Sequence, residues 1–239
     1  MPHSLVLYLS KRDLISAKEQ QVLLDAFGRQ LRFKAGAEIV ADGSKPATSL
    51  ILSEGIVGRA KFLASGTRQI SALHVPGDFL DLHGFLLKRM AHGVVALTDC
   101  LISVVDHAVL KNITETAPHL TRMLWLCTLI DGSIHREWIV RMGRMAAIAQ
   151  VAHLVCEMFV RLEIVNKTAG RTFTFPLSQT VLADVLGLST VHANRSIQEL
   201  RRSGAITWQD SRIEIIDWSM LVEIAEFDPT YLCLDFEPR

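Results

Sequence analysis

The chain has 239 residues, enough for one large domain or two smaller ones with a full core. Hydrophobic residues make up 49% and charged residues 21%, and the formal net charge is zero. These values exclude a disordered chain and a protein that coats nucleic acid through bulk charge, though not a local basic reader. No apolar run reaches the about 18 residues that a bilayer crossing needs, and the N-terminus lacks the layout of a secretory signal. A cytoplasmic protein with no membrane partner is the expectation.

Residues 1–27 read as a short helical lead-in. From residue 30 to about 105 the texture changes to short strands punctuated by Gly36, Gly43, Gly55, Gly66 and Gly77. Strands are expected at 31–33, 38–40, 49–52, 56–63, 69–75, 93–96 and 101–105. Evenly spaced short strands with glycine turns indicate a β-barrel or jelly roll. The four cysteines, Cys100, Cys127, Cys156 and Cys233, lie singly in apolar surroundings. No CxxC or Cys–His spacing occurs, so no metal site is expected, and each reads as a small buried hydrophobe. Nor is there a G-x-S-x-G elbow, a P-loop, a dinucleotide fingerprint or a cupin-like His/His/Glu cluster, so the chain does not read as an enzyme.

Residues 117–162 are helical in pattern. Leu120, Leu124, Cys127, Ile134 and Trp138 fall on an a/d-like seam interrupted by Asp131, with Met123, Leu126 and Ile130 beside it. This stripe is either the chain's own core or the seam of a two-helix dimer; the second is preferred. Gly143 is expected to end the helix, residues 141–144 to form a hinge, and a further helix to begin at 145. Residues 162–175 read as a polar connection.

The most informative stretch is 176–216. Ser178 is a good N-cap, and Val181, Leu182, Val185 and Leu186 recur at helical spacing. Gly187 suits a tight turn, Leu188 plugs the angle, and Ser189 caps a second helix that runs to about Ser203 before Gly204. In that helix Ala193, Ile197 and Leu200 share one face; Thr190, Val191, Asn194, Arg195 and Gln198 share the other. An apolar inner face with a polar, basic outer face is what a helix in the DNA major groove needs. Two short strands around residues 209–211 form a wing, and Arg201, Arg202 and Arg212 are phosphate candidates. The fold class is therefore α+β: a double-stranded β-helix or jelly-roll sensor domain (1–116), a long dimerisation helix (117–143) and a C-terminal winged helix-turn-helix (144–239). Against DNA as the partner stands a ligand-binding or scaffold protein whose winged helix contacts another protein.

This order of β-roll, long helix and winged helix resembles the Crp/Fnr family of bacterial transcription regulators over about residues 20–235. The resemblance rests on the spaced glycines ending in Pro76-Gly77-Asp78-Phe79 and on Leu188-Ser189-Thr190-Val191-His192-Ala193-Asn194-Arg195. It implies a homodimer, an effector-sensing β-roll, a palindromic promoter site on double-stranded DNA and contact with RNA polymerase. Arg195 matches the family's guanine-reading arginine, and Ser189 and His192 match positions that touch phosphate. The family's arginine-glutamate pair is replaced by Thr190 and Val191, so the sequence read should differ. The tentative effector pocket comprises Asp81, Leu82, His83, Met90, Ala91 and His92, with Lys88 and Arg89 nearby. Asp81-Leu82 stand where cyclic-nucleotide binders have glycine-glutamate, and Met90-Ala91 where they have arginine-serine. Without that cation a buried phosphate is disfavoured, so neither cAMP nor cGMP is expected, and the effector is unknown or absent. The first cysteine is Cys100, which excludes an N-terminal iron–sulfur cluster. Haem held by His83 and Pro2, as in the family's CO sensors, is a remote alternative to a plain loop histidine. No cofactor is expected.

Overall fold

The structure, a computed structural model, describes residues 3–239. Two helices lead in, α1 (Ser4–Ser10) and α2 (Ala17–Asp25). Ser16 and Glu19 close a reciprocal capping box at the start of α2. His119, from the long helix described below, joins Glu19 at 2.6 Å and Asp13 at 3.1 Å and so pins this lead-in. The bond to Glu19 holds the His119 pKa above its ordinary value.

Seven strands follow: β1 (Gln30–Phe33), β2 (Glu38–Val40), β3 (Thr48–Glu54), β4 (Val57–Phe62), β5 (Arg68–His74), β6 (Gly93–Ala96) and β7 (Cys100–Asp106). They pair antiparallel in two sheets, ordered β1-β7-β3 and β2-β6-β4-β5. Leu50, Leu52, Val57, Val94, Ala96, Ile102 and Val104 fill the space between the sheets. The turn glycines fall where expected. Gly55 has φ +94°, and a Cβ there would lie 2.5 Å from the Asp99 carbonyl oxygen, so no other residue fits that turn. Two helices lack a strong sequence signal: the single turn α3 (Gly84–Leu87), and α4 (His107–Thr116), in which only Leu110 and Ile113 are buried.

The long helix α5 spans Pro118–Arg144 and α6 spans Ala147–Ile164. Gly143 does not end α5. The chain breaks at Met145 and Ala146, both extended, and Gln150 donates to the Met145 carbonyl left over at the break. The hinge therefore lies just past the expected 141–144.

The seam expectation is corrected. Leu120, Leu124, Ile134 and Trp138 are 0, 6, 8 and 1% exposed, because this side of α5 packs on α4, β5 and α6 of the same chain. Cys127 is half-buried among them, and burial pushes its thiol up to about 12. The outward side instead carries Trp125, Leu129 and Ile139, at 65, 54 and 67% exposure. Together with Arg122, Gly132, Arg136 and Gly143 they alternate by three and four residues along the helix.

The C-terminal part contains β8 (Thr168–Ala169), β9 (Thr172–Thr174), α7 (Gln179–Leu186), α8 (Thr190–Arg202), β10 (Ile206–Gln209), β11 (Arg212–Ile215) and α9 (Trp218–Ala225), then a 3₁₀ turn at Pro229–Leu232. The expected polar connection is a hairpin that extends the wing into one sheet, ordered β10-β11-β9-β8. Its turns are made by Asn166 and Gly170, both at positive φ.

The helix α6 is buried nearly all round, including its charged residues Glu157 (0% exposed) and Arg161 (6%). Arg161 donates to Glu157 (2.9 Å), to Asp78 (2.5 Å) and to the Leu73 carbonyl (2.9 Å), joining α6 to the β-roll. Burial raises the Asp78 pKa against the pull of Arg161. Glu157 also accepts from Trp138 of α5 and from Tyr231, each at 2.9 Å. A second link runs from Arg68 to the Asp184 carboxylate of α7 at 2.7 Å. Among the described residues no helix is long and apolar enough to cross a membrane.

Candidate nucleic-acid interface and sensor pocket

Local chemistry places the recognition helix. Ser178 and Ser189 each accept from a backbone amide three residues on, those of Val181 and His192, and so start α7 and α8. Gly187 takes φ +65° between the helices. Ala193, Ile197 and Leu200 bury the inner face of α8, as expected, together with Ser196, whose hydroxyl bonds back to the His192 carbonyl. Outward lie Thr190, Val191 and Arg195, all exposed, with His192, Asn194 and Gln198 half-exposed. Among the described residues Arg195 has no ion pair or hydrogen bond from its side chain, so its five donors face solvent.

Arg201 donates to Gln198 at 3.2 Å, which orients both side chains. With Arg202, Ile206, Thr207 and Gln209 they line a shallow hollow of about 290 Å³ between α8 and the wing. Arg212 is exposed at the wing tip beside Asp210, which sits at φ 50° in the turn. The cationic groups chosen from sequence thus lie on α8 and its adjoining wing, and Ser178 and Ser189 sit at the positive ends of α7 and α8, where anions are favoured.

The sensor pocket differs more from expectation. It opens between the β-roll and α5 and is lined by Tyr8, Arg59, His74, Leu82, His83 and Asp131, among others. Arg59, only 6% exposed, crosses it from β4. Its Nη1 lies 3.1 Å from Asp131 and 2.9 Å from His135 of α5. About 30 Å³ remains, room for about two waters at 10–15 Å³ each. Burial, with Arg59 next, drives the His74 pKa well below its usual value.

Of the six residues chosen from sequence, Leu82 and His83 line this pocket and four do not. Asp81 turns into the β-roll, where it accepts from the Leu50 amide at 2.7 Å and burial raises its pKa to about 7. Met90 is 1% exposed in the smaller core, as its apolar side chain requires. Ala91 faces outward and offers only its carbonyl, to Lys61. His92 stands with its ring centroid 5.1 Å from that of His83, and burial, Arg59 and His83 lower its pKa to about 3. Lys88 and Arg89 are engaged with the Phe85 and Gly43 carbonyls. Sequence reasoning missed Arg59, His74 and His135. The one legible sign was Asp131, a carboxylate interrupting an apolar seam.

These residues do not fit a cyclic nucleotide. The two cations that line it are already paired, Arg59 with Asp131 and Arg161 with Asp78 and Glu157, and the free space falls about tenfold below the 300 Å³ where ligand pockets begin. His83 also borders a second, mainly apolar cleft of about 420 Å³, walled by Leu86, Leu110, Leu124 and Trp125, and Pro2 lies outside the described residues. Among the described residues no group of three or more His, Cys, Asp or Glu is arranged to hold a metal.

Comparison with known proteins agrees with this geometry. Residues 30–117 match the cyclic nucleotide-binding domain family and residues 149–224 the Crp-like helix-turn-helix domain family. The chain is 27% identical to the transcriptional activator protein FnrL of Cereibacter sphaeroides, covering 88% of this chain and 86% of that protein. It is 29% identical to the nitrogen fixation regulation protein FixK of Bradyrhizobium diazoefficiens, covering 80% of this chain and 79% of that one. Its fold is that of FixK2 from Bradyrhizobium japonicum, with a TM-score of 0.74 at 22% identity over 82% of this chain and 96% of that one. With a β-roll, a long helix and a Crp-like helix-turn-helix in one order, the chain belongs to the Crp/Fnr family of DNA-binding transcription regulators.

Proposed function

We propose that the protein acts in the cytoplasm as a homodimer on a two-fold symmetric promoter site, where it contacts RNA polymerase. Two α8 helices then enter successive major grooves about 34 Å apart. The observation that carries this reading is the outward face of α8, where an unengaged Arg195 stands among Val191, Asn194 and Gln198 while the opposite face is core. The exposed stripe Trp125, Leu129 and Ile139 supports pairing of α5 with a second copy, since such a face is otherwise left in water. No catalytic activity is part of this reading.

The proposed β-roll works without cyclic nucleotide or haem. Arg59, bonded to Asp131 and His135, makes the link between β-roll and long helix that a ligand would otherwise make. The DNA-competent arrangement is then set by the chain itself, and control rests on its abundance or on an effector of another kind.

Arg195→Ala should weaken specific binding by about 1–3 kcal/mol, because a bidentate contact to guanine O6 and N7 is lost. Fluorescence anisotropy with specific and scrambled duplexes measures it. Arg202→Ala, a phosphate contact, should weaken both duplexes alike and reduce the salt dependence. Equal binding of the specific duplex by wild type and Arg195→Ala would remove Arg195 as the reader.

A further inference from the structure

Val191 is 81% exposed, the highest value for any large apolar side chain among the described residues. It sits in the first turn of α8, after the cap Ser189. That turn carries no acidic residue, although the positive end of a helix favours one. A β-branched side chain is also a weak helix former. Neither burial, propensity nor the helix dipole therefore accounts for valine here. Its neighbours on the outward face, Asn194, Arg195 and Gln198, are polar, so the exposed methyls do not belong to an apolar patch.

The position says what could meet them. Val191 precedes Arg195 by four residues, about 6 Å along the helix at 1.5 Å per residue, which is less than two base steps of about 3.4 Å. With Arg195 on a guanine, Val191 lies against a base edge within about two pairs of it. Only one base presents an apolar group to the major groove, thymine through its C5 methyl. We propose that Val191 is a specificity-determining residue that packs on a thymine methyl beside the guanine read by Arg195. This rests on the DNA-reading role proposed above. A carboxylate at this position would accept from the amino group of cytosine; valine offers no acceptor and leaves that group unpaired, so thymine is selected both by attraction and by exclusion.

The test uses the full-length protein and a site enriched from a pool of random duplexes. Each thymine within two pairs of the enriched guanine is replaced in turn by deoxyuridine, which lacks only the methyl. Affinity is measured for wild type and for Val191→Ala, whose exposed position leaves folding intact; melting curves check that. At one thymine, wild type should lose about fourfold, the weight of one buried methyl group. Val191→Ala should bind thymine and uracil alike there, and Val191→Thr, which keeps one methyl, should recover part of the discrimination. Val191→Glu should move the enriched base toward cytosine. The inference is overturned if no thymine lies within two pairs of the guanine, or if the uracil penalty is the same in wild type and Val191→Ala. The DNA-reading role fails in a different way, by the absence of any enriched site for wild type, and that outcome removes both.

Discussion

Glu157→Ala should destabilise the folded chain by about 3–5 kcal/mol, the usual cost of removing one partner from a buried charge pair. Glu157 has no solvent exposure and accepts from Arg161 of its own helix, from Trp138 of α5 and from Tyr231 of the C-terminal segment. Alanine leaves the indole N–H and the tyrosine hydroxyl without acceptors and Arg161 with the Asp78 carboxylate and the Leu73 carbonyl. Three elements meet at this carboxylate, two of them on opposite sides of the Met145–Ala146 break, so the loss should loosen the join between α5 and the DNA-binding part. In thermal unfolding the midpoint should fall by roughly 6–20 °C, at 2–4 °C per kcal/mol for a chain of this size. Glu157→Gln, which keeps an acceptor, should cost less. A change of less than about 1 kcal/mol for alanine would show that the network does not hold the two parts together.

Leu129→Glu should leave the chain folded and make it a monomer. Leu129 is 54% exposed in the single chain, so the acid meets water there and costs the fold little. Against a second α5 it would be a buried, unpaired charge. Two linked half-site contacts bind more tightly than one by about 10²–10⁴, and the variant should lose a factor of that order on a two-fold symmetric duplex. Sedimentation gives the mass and anisotropy gives the affinity. Leu124→Glu, at a position 6% exposed, should instead unfold the chain. A Leu129→Glu protein that stays dimeric would place the interface elsewhere.

The contrast between Leu124 and Leu129 shows where a sequence stops being legible. The helix α5 carries two apolar stripes, and a heptad pattern does not say which faces the chain's own β-roll and which is left outward. That choice depends on the placement of α4 and β5, which pack on one side. The strands were readable because their turn glycines are local, and the helix-turn-helix because Ser178, Gly187 and Ser189 act on residues within one turn. The sensor pocket was not. Arg59 and Asp131 are 72 residues apart, and an ion pair has no period. The same holds for Glu157 and Arg161, which carry no sign of burial in the sequence and are core because α6 is packed on several sides. Met90, where the resemblance implies an arginine, lies in the smaller core, and Arg59 reaches the pocket from β4, a strand with no motif of its own.

The central claim is that a symmetric pair of α8 helices reads DNA through Arg195. Selection from random duplexes with the purified full-length protein, followed by sequencing of the bound fraction, tests it most directly. The account predicts an enriched inverted repeat whose half-sites each contain a guanine and lie about one helical turn apart, 10–10.5 base pairs, with that guanine no longer enriched for Arg195→Ala. Enrichment of a single asymmetric element, of no element at all, or of the same repeat by Arg195→Ala would contradict it.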